Sequence, residues 1–296
     1  MHVLNQSKPK PLCIYHGNCL DGFAAAWAVR HALGEKVEFY KGIHHQSPPD
    51  VTGRDVFLVD FSYKKQVLET MLQTAASITI LDHHISAEED LSVLLKCGAI
   101  KGLFDMNQSG AMLAWHWFNP KEPPPELIAH IQDRDLWSFK LEGSREINAA
   151  LSSYPYDFRV WDNLMANNKD ELTLLRRDGE AIERKLQKDI KQLIASGVRR
   201  MIIGGYDVPV LNASSAYVSD AGNIMSTGEA FAACYWDHPD GRSFSLRSRN
   251  DGGEKGINVA DVAKKYGGGG HKNAAGFTVE LGWEGERVSV IHNDTA

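Results

Sequence analysis

The chain has 296 residues, enough for two domains of ordinary size, each with its own core. Hydrophobic residues make up 43% and charged ones 24%, the balance of a soluble globular protein, and no apolar run is long enough to span a bilayer. The formal net charge of −6 excludes a chain that coats nucleic acid through a dense basic surface, while leaving room for a local pocket that grips one phosphate.

The first residues, MHVLNQSKPK, lack the apolar core of a signal peptide. Cys13, Cys19, Cys97 and Cys234 show no C-x-x-C pairing, which fits reduced thiols and a cytoplasmic location. In chain order, Cys13–His16 is a short apolar strand signal, and Gly22 opens a helical stretch, Phe23–Leu33, ended by Gly34. Val37–Tyr40 reads as a second strand. His44 and His45 follow it in a loop and read as surface residues. Asp55–Asp60 and Ser77–Leu81 are apolar runs too short for helices, with a helical pattern over Lys64–Thr74 between them. Strands alternating with helices predict a parallel sheet covered by helices on both faces. Gly110–Phe118 and Pro125–Gln132 then read as helices around a Pro-rich break. The longest helical pattern runs from Glu171 to Ser196, with Leu175, Ile182, Leu186, Ile190, Leu193 and Ile194 at spacings of three, four or seven. Beyond Gly197 come short β-like runs, Met201–Ile203, Val208–Asn212, Phe231–Trp236 and Ser243–Arg247. A helix from Asp261, a glycine run, and a helix or strand ending at Val279 close the pattern. The expected architecture is α/β: an N-terminal domain over 1–190, linked by the long helix to a smaller α/β domain over 191–296.

Chemistry-bearing residues gather at the ends of the expected strands. Asp60 closes one apolar run, and Asp82-His83-His84 directly follows the next, so both face the edge where open parallel sheets bind ligands. Carboxylate and imidazole together suit a hard-to-borderline divalent ion such as Mn²⁺. His16-Gly17-Asn18-Cys19-Leu20-Asp21-Gly22 brings His16 and Asp21 to the same edge, at a helix start that favours an anion. In Asp133-Arg134-Asp135-Leu136-Trp137, one carboxylate is available to close a metal site. Downstream, Gly267-Gly268-Gly269-Gly270-His271-Lys272 suggests a backbone nest for an anion, with His271 and Lys272 adding donors. Arg247 and Arg249 lie on or beside a strand just upstream, as candidate bidentate phosphate contacts.

These motifs resemble the DHH phosphoesterase superfamily, which includes RecJ-like exonucleases and oligoribonuclease and cyclic-dinucleotide phosphodiesterases. Asp82-His83-His84 is its naming motif, and GGGGHKNAAGF resembles the signature of its associated C-terminal, substrate-holding domain. The resemblance implies two divalent cations, usually Mn²⁺, that activate a water and neutralise charge on the phosphoryl oxygens. It places Asp60 as the bridging ligand and His16, Asp21, His84 and Asp133 as the rest of the shells. His83 would stand near the substrate phosphate, with Asp82 orienting its neighbours. Arg247, Gly268, Gly269, Gly270, His271 and Lys272 would hold the nucleotide. One departure stands out: Cys19 sits where the first motif usually carries a second Asp, so either a thiolate ligates a softer metal there or the position stays vacant.

The expected activity is hydrolysis of phosphate esters in short oligonucleotides, linear dinucleotides or cyclic nucleotides. The alternatives are an exonuclease on longer single strands in either direction, a pyrophosphate or polyphosphate hydrolase, and a nucleotide sensor that has lost turnover. No membrane partner is expected, and a homodimer is left open.

Overall fold

The computed structural model describes residues 9–44, 46–166, 169–249 and 257–286; the first eight residues and His45 lie outside them. The chain divides into two compact units, Met1–Glu183 and Arg184–Ala296.

The first unit begins with strand β1 (Leu12–His16), helix α1 (Leu20–Leu33) and strand β2 (Glu38–Gly42). Strand β3 (Asp55–Val59), helix α2 (Lys65–Met71) and strand β4 (Ser77–Asp82) follow, then α3 (Ile85–Lys96) and β5 (Lys101–Phe104). All five strands are parallel, in the order β2-β1-β3-β4-β5. Their side chains alternate between two separate cores. Leu12, Ile14, Val56, Leu58, Ile78 and Ile80 face one way, with Leu91 and Leu94 of α3 packed over them. Cys13, Val59 and Leu81 face the other way. That second layer is built by α1, α4 (Gly110–Phe118), α5 (Glu126–Asp135), α6 (Ser144–Leu151), α7 (Phe158–Leu164) and the start of α8 (Lys169–Gly197). Helices on both faces of a parallel sheet bury the inner strands β1, β3 and β4 from both sides, which is why those three read as continuous apolar runs. Five elements carry little sequence signal. Helix α3 buries only Leu91 and Leu94, and β5 is a four-residue edge strand with no fully buried side chain. Helices α6 and α7 have only eight and seven residues. In the second unit, α9 (Val218–Met225) is equally short.

The strand order reverses at β1 and β3: the chain adds β2 on one side of β1, then β3, β4 and β5 on the other. The flanking crossovers leave on opposite faces there, so a crevice opens at the C-terminal ends of β1 and β3.

The second unit carries a six-stranded mixed sheet in the order β10-β11-β9-β8-β7-β6. Its strands are β6 (Arg199–Ile203), β7 (Tyr206–Asn212), β8 (Ala232–His238), β9 (Gly241–Arg247), β10 (Gly269–His271) and β11 (Ala274–Val279). Only the β7–β8 pair is parallel. Helix α10 (Val259–Lys264) covers one face, against Val208, Val210, Phe244 and Leu246. The other face packs on α9 and on Ile190 from the C-terminal half of α8. No helix among the described residues is long and apolar enough to cross a membrane.

The glycine run departs from its expected role. Gly269 and Gly270 pair with Gly276 and Ala275 in a hairpin rather than forming an open anion nest. A Cβ on Gly268 would lie 2.0 Å from the Gly276 carbonyl oxygen, and one on Gly270, at φ +139°, 2.6 Å from that of Ala274. The protein's own backbone thus excludes side chains there.

Helix α8 makes a comparable approach in the first unit: a Cβ on Gly179 would sit 1.8 Å from the Glu146 carbonyl oxygen of α6. Helix propensity favours Ala over Gly by about 1 kcal/mol. The clash outweighs it, so Gly179→Ala is expected to destabilise by about 1–3 kcal/mol net. A urea midpoint that stays level or rises would show that α6 and α8 do not touch this way.

Candidate metal centre

The reversal crevice is where the N-terminal motifs meet. Strand β1 ends at His16, β3 delivers Asp60 one residue past its end, and β4 ends in Asp82 with His83 and His84 beyond it. Asp60 is only 2% exposed and holds a left-handed backbone, φ +52°. That conformation is uncommon for a residue other than glycine. Its amide donates to the Leu81 carbonyl, which keeps it on the sheet edge. Helix α4 closes over it so tightly that a Cβ on Gly110 would fall 2.3 Å from the Asp60 Cβ. Gly22 gives α1 the same clearance, since a Cβ there would lie 2.3 Å from the His16 carbonyl oxygen.

Asp60 divides its carboxylate between two imidazoles. His83 Nε2 donates to Oδ1 at 3.1 Å, while His16 Nδ1 stands 3.4 Å from Oδ2. His83 also reaches Asp135 at 3.5 Å and Asp21 at 3.8 Å. Burial alone would raise Asp60, but the close positive charge of His16 and His83, and the hydrogen bond from His83, hold it well below the usual carboxylate range. Burial works against charging His83 too, yet its bond to Asp60 and the nearby Asp135 and Asp21 carboxylates raise it to about 10. Asp21, buried beside Asp60 and Asp135, is pushed well above the ordinary value.

Asp82 has a different job. Its Oδ1 accepts from the His83 and His84 amides and from His84 Nδ1 at 2.6 Å, while Ser62 Oγ donates to Oδ2. With Nδ1 of His84 as the donor, Nε2 becomes the lone-pair nitrogen. Carboxylates orient metal-binding imidazoles in this way. Asp21 caps α4: Gly110 N donates to Oδ2 at 2.6 Å and Ala111 N to Oδ1 at 3.1 Å.

Asp133 and His83 have partners that their spacing alone does not disclose. Asp133, expected among the metal ligands, is consumed by a turn: it accepts from the amides of Lys140 and Leu141 and from Ser144 Oγ at 2.6 Å. Asp135 is the carboxylate of that motif that reaches the cluster. Residues two apart on a helix point about 200° apart, so only one could face the crevice. Spacing alone could not say which. His83, expected beside the substrate phosphate, is 2% exposed and turned inward onto the carboxylates.

His44 and Cys19 also stand against His16. His44 packs its ring on His16 at 5.3 Å and on Phe61 at 4.9 Å. Cys19 places its sulfur with a nitrogen of His16 and an oxygen of Asp60, all within 4.8 Å of one another. A second group, Asp21, His83 and Asp135, meets the same limit.

These residues fit a divalent cation. Among the described residues no donor completes a hydrogen bond to the buried Asp60 Oδ2, and a bare buried acceptor carries a desolvation cost. Three carboxylates also converge on the His83 ring, a crowding of like charge that pushes Asp21 up and that a cation would relieve.

In the second unit, Arg247 donates to Ser245 Oγ, the Leu246 carbonyl and Ser219 Oγ at 2.8–2.9 Å. Arg249 reaches Asn223 Oδ1 at 3.1 Å. His271 ends β10 half-buried, and Lys272 is exposed in the turn, its carbonyl accepting from Val259 N.

No family model matches the chain. A curated relative, the uncharacterized protein R106 of Acanthamoeba polyphaga mimivirus, is 28% identical over 288 residues. The match covers 89% of this chain and 66% of the relative, just under two thirds of its length. Similar solved structures include the pGpG-specific phosphodiesterase PggH from Vibrio cholerae (TM-score 0.48, 16% identity, 92% of this chain and 94% of that one). Another is the exonuclease RecJ bound to manganese (TM-score 0.49, 15% identity, 92% and 86%). An uncharacterized Helicobacter pylori G27 protein has a TM-score of 0.40 at 14% identity, over 94% of both chains.

Exchanging the two α5 carboxylates separates their roles. Burial opposes the Asp133 charge, but Ser144 and the amides of Lys140 and Leu141 lower its pKa. Its contribution is therefore complete above the unfolded value of about 3.9 and is lost as pH falls through the folded one. Asp133→Asn should cost about 1–3 kcal/mol at neutral pH, flatten that acid limb and leave metal binding intact. Asp135→Asn should do the reverse. Loss of metal from a well-folded Asp133→Asn protein would overturn this placement.

Proposed function

We propose that the chain is a metal-dependent phosphoesterase of the DHH type that hydrolyses small nucleotide substrates: short oligonucleotides, linear dinucleotides or cyclic nucleotides. The observation that carries this reading is the buried Asp60 carboxylate, shared between His16 and His83 where the strand order reverses. Asp60 is the proposed bridging ligand. His16 and His84 support one side of it, and Asp21 and Asp135 the other. Divalent cations held there, Mn²⁺ among them, would acidify an attacking water and offset charge growing on the phosphoryl oxygens.

The chain's own residues supply the rest. Asp82 fixes the His84 ring, and its bonds to two successive amides hold the turn that presents both imidazoles. The His16 and His83 rings, on either oxygen of Asp60, hold its carboxyl below the usual range and so favour its ionised form. In the second unit, Arg247, already oriented by Ser219 and Ser245, is the proposed phosphate donor, with His271 and the exposed Lys272 beside the hairpin turn.

The test is hydrolysis, with added Mn²⁺, of linear dinucleotides, cyclic mononucleotides, single-stranded oligomers and pyrophosphate. Asp60→Ala should lower turnover of the best substrate by on the order of a thousandfold while the circular dichroism spectrum stays native. Near-normal turnover in that variant would sink the assignment. Tight nucleotide binding by the wild type with no product from any substrate would point to a sensor instead.

A further inference from the structure

We propose that Cys19 is itself a metal ligand, and that with His16 and Asp60 it makes one of the two metal positions select a thiophilic cation such as Zn²⁺ over Mn²⁺. This rests on the phosphoesterase reading and refines its metal content.

Cys19 occupies the N-cap of α1 with an extended backbone, φ −127° and ψ 138°, and among the described residues its side chain makes no capping bond. Its sulfur turns instead into the crevice, within 4.8 Å of a His16 ring nitrogen and of the Asp60 oxygen that completes the trio. Independently, Asp60 is 2% exposed and its Oδ2, on the His16 side, has no hydrogen-bond partner among the described residues. Sulfur, nitrogen and oxygen donors from three residues, with a further position for solvent or substrate, are the donor set of an open zinc-type site. Oxygen-rich Asp21 and Asp135, on the other side, suit Mn²⁺. The two positions therefore differ in softness, with the Cys19 sulfur as the softest donor.

The other thiols need only one control. Cys13 and Cys234 are buried, while Cys97 is exposed and able to pick up metal adventitiously. The experiment uses the full chain carrying Cys97→Ser, titrated with Co²⁺ and followed by absorption. A thiolate-to-cobalt charge-transfer band is expected, and its loss in both Cys19→Ser and Cys19→Asp. In competition, the Zn²⁺/Mn²⁺ affinity ratio should fall by at least about tenfold in Cys19→Asp, which replaces sulfur with a hard oxygen donor. Bound cobalt without the band, or a band that persists in Cys19→Ser, overturns the thiolate ligand and leaves the phosphoesterase reading standing. A wild-type chain that binds neither Co²⁺, Zn²⁺ nor Mn²⁺ overturns both.

Discussion

Asp60 is a carboxylate taken out of water, held in a backbone conformation that disfavours side chains, and kept ionised by two imidazoles. Neither a buried charge nor a left-handed aspartate persists unless its surroundings impose it. Here they do so from several directions. The β4 carbonyl of Leu81 takes the Asp60 amide, and α4 leaves no room for another residue beside it. Asp21 then fastens α4 through its first amides. The same carboxylates that form the crevice also fix the elements around it, so site and fold are not separable there.

That coupling explains which parts were legible in the sequence. Asp60, Asp82, His83 and His84 stand at the ends of short apolar runs, and an apolar run that stops at a charged residue is a clear sign of a strand reaching a sheet edge. The parallel sheet followed from the same runs. What stayed hidden depends on rotation rather than position. Asp133 and Asp135 differ only in which way a helix turns them: the resemblance pointed to Asp133, and it is Asp135 that reaches His83. His83 carries the motif, yet its ring faces inward because Asp82 holds the backbone on either side of it.

The glycine run shows a second limit. Four consecutive glycines signal a close approach, and a close approach exists, but the partner is the chain's own hairpin. Composition identifies that backbone must come near something without identifying what. The short helices α6, α7 and α9 were invisible for a simpler reason: seven or eight residues complete barely two turns, too few to establish a period.

Helix α8 belongs to both units, since Leu175 joins the first unit's core while Leu186, Ile190, Leu193 and Ile194 join the second's. Cutting the chain at Gly197, where the helix ends, would strip the C-terminal fragment of the side chains that cover one face of its sheet. A junction at residue 190 would still remove Leu186 and split Ile190 from its neighbours. Shuffling these units between relatives would therefore require splicing inside the helix, near Glu183, where no loop marks the seam.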